Sequence, residues 1–168
     1  MQCKLRKNAI MPEGLTKKGK VKTMATLCGA ECSGCSFGAE CKGCGETCGK
    51  PFGGECVAAE YIKVGGAEEY GRFKESLLRE VNELLRANDL PELGGLCELP
   101  GSFINMEYTL PGGERVKFLD DTKVYLAGQM EISDTGLCCG VAADTGFILV
   151  CSYGEGGKDA ELLAFRKR

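Results

Sequence analysis

The clearest periodic signal lies at residues 67–89, AEEYGRFKESLLREVNELLRAND. Phe73, Leu77, Leu78, Val81, Leu84 and Leu85 recur at the 3.6-residue period and form one apolar stripe. This predicts an amphipathic helix laid on a core. Glu68 and Glu69 suit the positive end of the helix dipole, Glu75 lies one turn before Arg79, and Asn88 and Pro91 mark the stop. Upstream, VAAEYIKV at 57–64 predicts a shorter helix that Gly65 and Gly66 bring to an end.

Past the connector LPELGGLCELPG the period falls to two. Ile104, Met106, Tyr108 and Leu110 alternate with polar residues, PGGE at 111–114 turns the chain, and Val116 and Phe118 resume the alternation. DDTK at 120–123 is a second turn, followed by Val124, Leu126, Met130 and Ile132 on one face of a strand, and SDTG at 133–136 is a third. Strands at about 137–143 and 147–153 follow, joined by Asp144, Thr145 and Gly146, and a last strand spans 160–166. The pattern predicts an α+β fold. In it, the long helix packs on an antiparallel meander of five or six strands.

The stretch from Cys28 to Cys56 has neither period. It holds seven of the twelve cysteines, at 28, 32, 35, 41, 44, 48 and 56, with glycines interleaved and few apolar residues. Such a segment cannot fold by hydrophobic burial, so a metal, an iron–sulfur cluster or disulfides must tie it together. The N-terminus lacks an apolar run of signal-peptide length, and no stretch reaches the ~18 apolar residues of a membrane span. We therefore expect a cytoplasmic protein with no membrane association, where reducing conditions favour metal over disulfides.

The chain has no histidine. A zinc site must then be built from thiolates, with or without carboxylate. Ser-His-Asp and Cys-His catalysis are excluded. Cys32-x2-Cys35 and Cys41-x2-Cys44 form two CxxC pairs five residues apart. Each such turn directs two sulfurs at one centre, and two of them supply the four thiolates of tetrahedral zinc. Gly34 and Gly43 suit the turns. The gap is short for a zinc ribbon, which leaves Cys28, Cys48 or Cys56 as substitutes and leaves room for a second ion. The alternative is an iron–sulfur cluster. Cys28-x3-Cys32-x2-Cys35 has the spacing of radical S-adenosylmethionine enzymes, and Cys41-x2-Cys44-x3-Cys48 mirrors it.

CGAEC at 28–32, SGC at 33–35 and CKGC at 41–44 resemble a bacterial and archaeal cysteine-rich family of unknown function with a CGxxCxxC…CxGC signature. The likeness covers about residues 27–64. It implies zinc binding and no reaction. That family often carries further cysteines after the next helix, where this chain has Cys97.

Charge is unevenly placed. Residues 1–27 carry seven Lys/Arg against Glu13, a local +6, so the remainder carries −9 of the net −3. The arm has no interleaved aromatics and the body is acidic, which argues against a nucleic-acid partner and for a solvated basic arm. The chain thus divides into an arm at 1–27, a cysteine-rich metal module at 28–64 and a helix-plus-sheet domain at 65–168.

Three further cysteines, 138, 139 and 151, fall in the predicted sheet. A three-residue hairpin loop would set Cys139 opposite Cys151, and a two-residue loop would put Cys138 there. A redox pair or nucleophile competes here with plain buried hydrophobes, and no flanking base favours the former. Asp120, Asp121, Asp134 and Asp144 all lie in turns, where aspartate commonly bonds its own backbone. No phosphate-binding glycine loop occurs. The expected function is a small metal-binding protein with a structural zinc and a surface for a protein partner. The alternatives are an iron–sulfur redox protein or cluster-dependent enzyme, and a ligand-binding sheet stapled by zinc.

Overall fold

A computed structural model describes residue 44 and residues 47–104, 106–157 and 160–168. The basic arm, and Cys28, Cys32, Cys35 and Cys41, lie outside the described residues. The described chain is α+β, with one α-helix, seven strands and two short 3-10 helices at Gly101–Phe103 and Glu155–Gly157.

Helix α1, Val57–Arg86, runs in two pieces separated by a single non-helical residue, Gly66, at φ 77° and ψ −179°. The glycine pair thus interrupts the helix instead of ending it. Tyr61 before the break stacks on Phe73 after it, with ring centroids 3.8 Å apart. The predicted stripe is buried. Phe73, Leu77, Val81, Leu84 and Leu85 face the core, and Leu78 packs at its margin. The helix stops where expected: Asp89 turns left-handed at φ 55°, and the Asn88 side chain donates to the Leu84 carbonyl at 2.8 Å. Arg72 bridges Glu68 and Glu69 at 2.8 and 2.6 Å on the exposed side.

The main sheet has five antiparallel strands, in the order β1-β4-β5-β6-β7. They are β1 Cys97–Pro100, β4 Val124–Glu131, β5 Cys138–Ala143, β6 Phe147–Tyr153 and β7 Glu161–Lys167. Strands β4 to β7 form the predicted meander. Two features differ from the sequence expectation. CELP, read as connector, is strand β1, paired with β4 from Cys97↔Ala127 to Pro100↔Val124. The 104–118 alternation builds a separate two-stranded ribbon, β2 Glu107–Thr109 and β3 Arg115–Lys117, inserted between β1 and β4. Ile104 and Met106 are buried, whereas Tyr108, Leu110 and Val116 are exposed at the ribbon's tip.

Both faces of the sheet are covered. On one, Val124, Leu126, Cys139, Val141, Ile148 and Val150 pack against α1, with Met130 and Ile132 at the edge. On the other, Tyr125, Ala127, Ala142, Leu149 and Cys151 meet Ile104, Met106 and Leu119 from the ribbon and its flanks. The result is three layers, helix, sheet and ribbon, which explains why Val124–Ala127 are all buried despite strict alternation.

Polar links hold the helix to the sheet at both ends. Tyr70 Oη and Lys74 Nζ donate to Glu98 of β1 at 2.5 and 2.9 Å. Burial pushes the Glu98 carboxyl up, but these hydrogen bonds bring it net below its ordinary value. Arg168, past β7, donates through Nε and Nη2 to the two Glu80 oxygens at 3.0 and 2.9 Å, and its guanidinium lies 5.2 Å from the Phe73 ring centre. Between β6 and β7 the register shifts at Val150/Cys151: Val150 pairs Ala164 and Cys151 pairs Leu162, so Leu163 is a bulged extra residue. Around the bulge Leu162, Leu163 and Phe165 are all exposed.

Candidate metal centre

Three of the seven clustered thiols can be followed. Cys44 and Cys48 belong to one tight turn, closed by the Gly49 amide donating to the Cys44 carbonyl at 2.9 Å. Cys48 and Gly49 both take positive φ, 52° and 84°, which lets the backbone double back. Cys44 is buried and Cys48 is exposed.

The turn sits on the first piece of α1. Lys63 Nζ donates to the Cys48 carbonyl. A side-chain carbon on Gly49 would stand 2.9 Å from Ala59 Cβ and 2.8 Å from Lys63 Nζ, so only glycine allows this approach. Further on, the Gly54 amide donates to the Thr122 carbonyl at 3.0 Å, and a Cβ there would come within 2.7 Å of that oxygen. The Val124 amide donates to the Glu55 carbonyl at 2.9 Å, and Cys56 forms a parallel bridge with Val124 before entering the helix. The end of the cysteine-rich segment is therefore fastened to both helix and sheet.

Cys56 is set apart from the other two. It is 6% exposed and packs in the helix–sheet core with Val57, Ala58 and Ala59. Among the described residues, no three cysteines or carboxylates gather where they could hold a metal ion. Chemically the described part offers one feature toward a thiolate centre: the Gly49 amide ties back to the Cys44 carbonyl, and the Cys48 carbonyl accepts from Lys63. Cys97 stands on β1, its thiol 3.4 Å from the Ala127 carbonyl. Burial, and then Glu98, push that thiol up from its ordinary value.

The sheet cysteines do not face one another as either hairpin reading proposed. Asp144 pairs with Phe147, leaving a loop of Thr145 and Gly146, and the register runs Ala143↔Ile148, Gly140↔Cys151 and Cys139↔Ser152. Cys139 points toward α1 and Cys151 toward the ribbon. The cause is Asp144, whose Oδ1 accepts the amides of Gly146 and Phe147 at 2.7 and 3.1 Å and shifts the turn by one residue. Burial pushes the Cys139 thiol up to about 11 and the Cys151 thiol up to about 12, so both stay protonated near neutrality. They are packing residues.

The turn aspartates act locally. Asp120 accepts from the Thr122 amide and hydroxyl at 2.8 and 2.7 Å, which hold its carboxyl below the ordinary range. The middle of the helix–sheet interface is packed by the apolar cluster around Leu77, Val81, Leu85, Leu126, Val141 and Val150. Two open surface clefts flank the anchor: about 410 Å³ beside Lys50, Phe52, Ser102 and Asp121, and about 380 Å³ beside Glu60, Lys123, Asp144, Phe147 and Phe165. In the second, burial and the carboxylates of Glu55 and Asp144 raise the Glu60 carboxyl. Sequence reasoning missed this grouping, because residues 55, 60 and 144 meet only once α1 starts beside the β5–β6 turn. No described helix is long and apolar enough to cross a membrane. Compared with protein-family models, curated proteins and solved structures, the chain matches none.

Proposed function

We propose that this chain is a small metal-binding protein of the cytoplasm, with zinc held by thiolates drawn from Cys28, Cys32, Cys35, Cys41, Cys44, Cys48 and Cys56. The metal is structural and non-catalytic, since a closed four-thiolate site leaves no coordination position for a substrate. The ion shapes the glycine-rich segment, and the shaped segment is a surface for a protein partner. The likeness of CGAEC, SGC and CKGC to the cysteine-rich family points the same way. The observation that carries the reading is the density of thiols: seven in 29 residues, with two CxxC pairs and no histidine. The Gly49 hydrogen bond to the Cys44 carbonyl and the positive φ of Cys48 and Gly49 support it, because a metal knuckle needs a backbone that doubles back at its ligands.

Elemental analysis of anaerobically purified protein tests this. A colourless protein with stoichiometric zinc is the expected result. A brown protein with absorbance near 400 nm would replace zinc by an iron–sulfur cluster. Full-length protein free of metal, with its thiols in disulfides, would overturn the reading.

A further inference from the structure

The cleft of about 380 Å³ where α1 starts beside the β5–β6 turn has two kinds of wall. One is acidic. Glu60 stands in the first turn of α1, and the charges of Glu55 and Asp144 act on it. Lys123 answers Glu55 at 3.6 Å, and Asp144 Oδ1 is taken by the amides of Gly146 and Phe147. The Glu60 carboxylate has no hydrogen bond or ion pair among the described residues. Lys123 and Lys63 offset the neighbouring acids only in part, and Lys167, also on the cleft wall, is not among the charges that act on Glu60. The other wall is aromatic. Phe147 stacks with Phe165 and meets Tyr125, each at a centroid distance of 6.0 Å, and Phe165 is left 57% exposed.

Carboxylates alone do not name a ligand here; the rings do. A metal ion needs several donors drawn together, and among the described residues no three acidic or thiol groups gather so closely. A purely apolar ligand would strip water from Glu60 and give it no partner. An organic cation satisfies both walls, because its charge meets the carboxylate while its carbon chain and positive head lie against aromatic rings. We infer that this cleft is a binding site for an alkylammonium group, with Glu60 as counter-ion and Phe147 and Phe165 as the aromatic wall. Free amines and the lysine side chains of a peptide share that chemistry. The site needs no metal and stands apart from the thiolate reading.

The test is a chemical-shift titration of anaerobically purified full-length protein, followed at the amides of Gly146 and Phe147. The probes are cadaverine, Nα-acetyl-lysine methylamide, pentanol and magnesium chloride. Both amines are expected to give saturable shifts, about 10-fold weaker in Glu60→Gln and about 5-fold weaker in Phe165→Leu, and pentanol and magnesium none. Tighter binding of the acetyl-lysine amide supports a peptide as the source of the cation, and tighter binding of cadaverine supports a free amine. Shifts that do not saturate overturn the inference, as does wild-type affinity in either variant. Pentanol or magnesium acting as strongly as the amines also overturns it. The comparison of amine with alcohol is made on wild type, so the charge requirement is tested even where a variant fails to fold.

Discussion

Arg168 shows how one side chain can close a fold. Its guanidinium spans Glu80 of α1, the Phe73 ring and the Asp144 carbonyl, while its amide donates to Gly146 at 2.8 Å. The hydrogen bond from Arg168 holds the Glu80 carboxyl below its ordinary value, against an opposing effect of burial. A carboxylate whose folded value is depressed stabilises the fold above its unfolded pKa of ~4.3 and loses that contribution as pH falls through the folded value. Glu80→Gln should therefore weaken the protein at neutral pH and flatten the fall in its urea midpoint between pH ~5 and ~3, relative to wild type. Denaturation series at several pH values check this; a Glu80→Gln curve parallel to wild type would deny the pair any role. This link was not legible beforehand, since residues 80 and 168 lie 88 positions apart and meet only in the folded chain. Asp144 was legible as a turn residue but not as the one that sets register. Its two amide bonds moved the hairpin by one position and so separated Cys139 from Cys151 onto opposite faces.

The elements with strong period were read correctly, and those with hidden period were not. The 73–85 stripe and the strands at 138–143 and 147–153 stand where the pattern put them, because each has a buried face and a turn-forming boundary. Strand β1 escaped because CELP is four residues long and ends in proline, a composition typical of connectors. The ribbon escaped because alternation shows that a strand exists but not which sheet it joins. The double glycine was read as a terminator, yet only Gly66 leaves the helical region, and the chain resumes at once. Its φ of 77° with ψ near 180° belongs almost solely to glycine, and another residue there costs ~1–3 kcal/mol. Gly66→Ala should lower stability by that amount even though a Cβ at the site meets nothing within 4 Å. A urea titration with unchanged slope would confirm a backbone effect. A gain in stability would mean that the two pieces can merge into one straight helix without disturbing the Tyr61–Phe73 stack.

Taken together, the described residues pack into two apolar clusters, one on each face of the sheet. The helix–sheet and sheet–ribbon cores are apolar, with Leu77, Leu126, Val141, Ile148 and Val150 fully buried. In the reading proposed above, the cysteine-rich segment relies instead on thiol chemistry, for which the spacing of its cysteines argues; four of the seven lie outside the described residues. Chelation tests whether the proposed metal holds the cysteine-rich segment independently of these clusters. Removing metal under reducing conditions is expected to abolish amide-exchange protection around Gly49 while Leu126, Ile148 and Val150 keep theirs. Simultaneous loss of both would mean that the metal centre and the sheet fold as one unit.

The bulge at Leu163 carries a consequence for crowded solution. Strand β7 is the last of the five, and its Leu162, Leu163 and Phe165 would make a tempting template for fibre growth. A foreign strand seeking to zip along it loses step after Ala164, because the inserted residue disrupts the even rhythm of outward amides and carbonyls. The misfit thus works as a built-in deterrent: deleting Leu163 would smooth that border and invite molecules to join into ribbons.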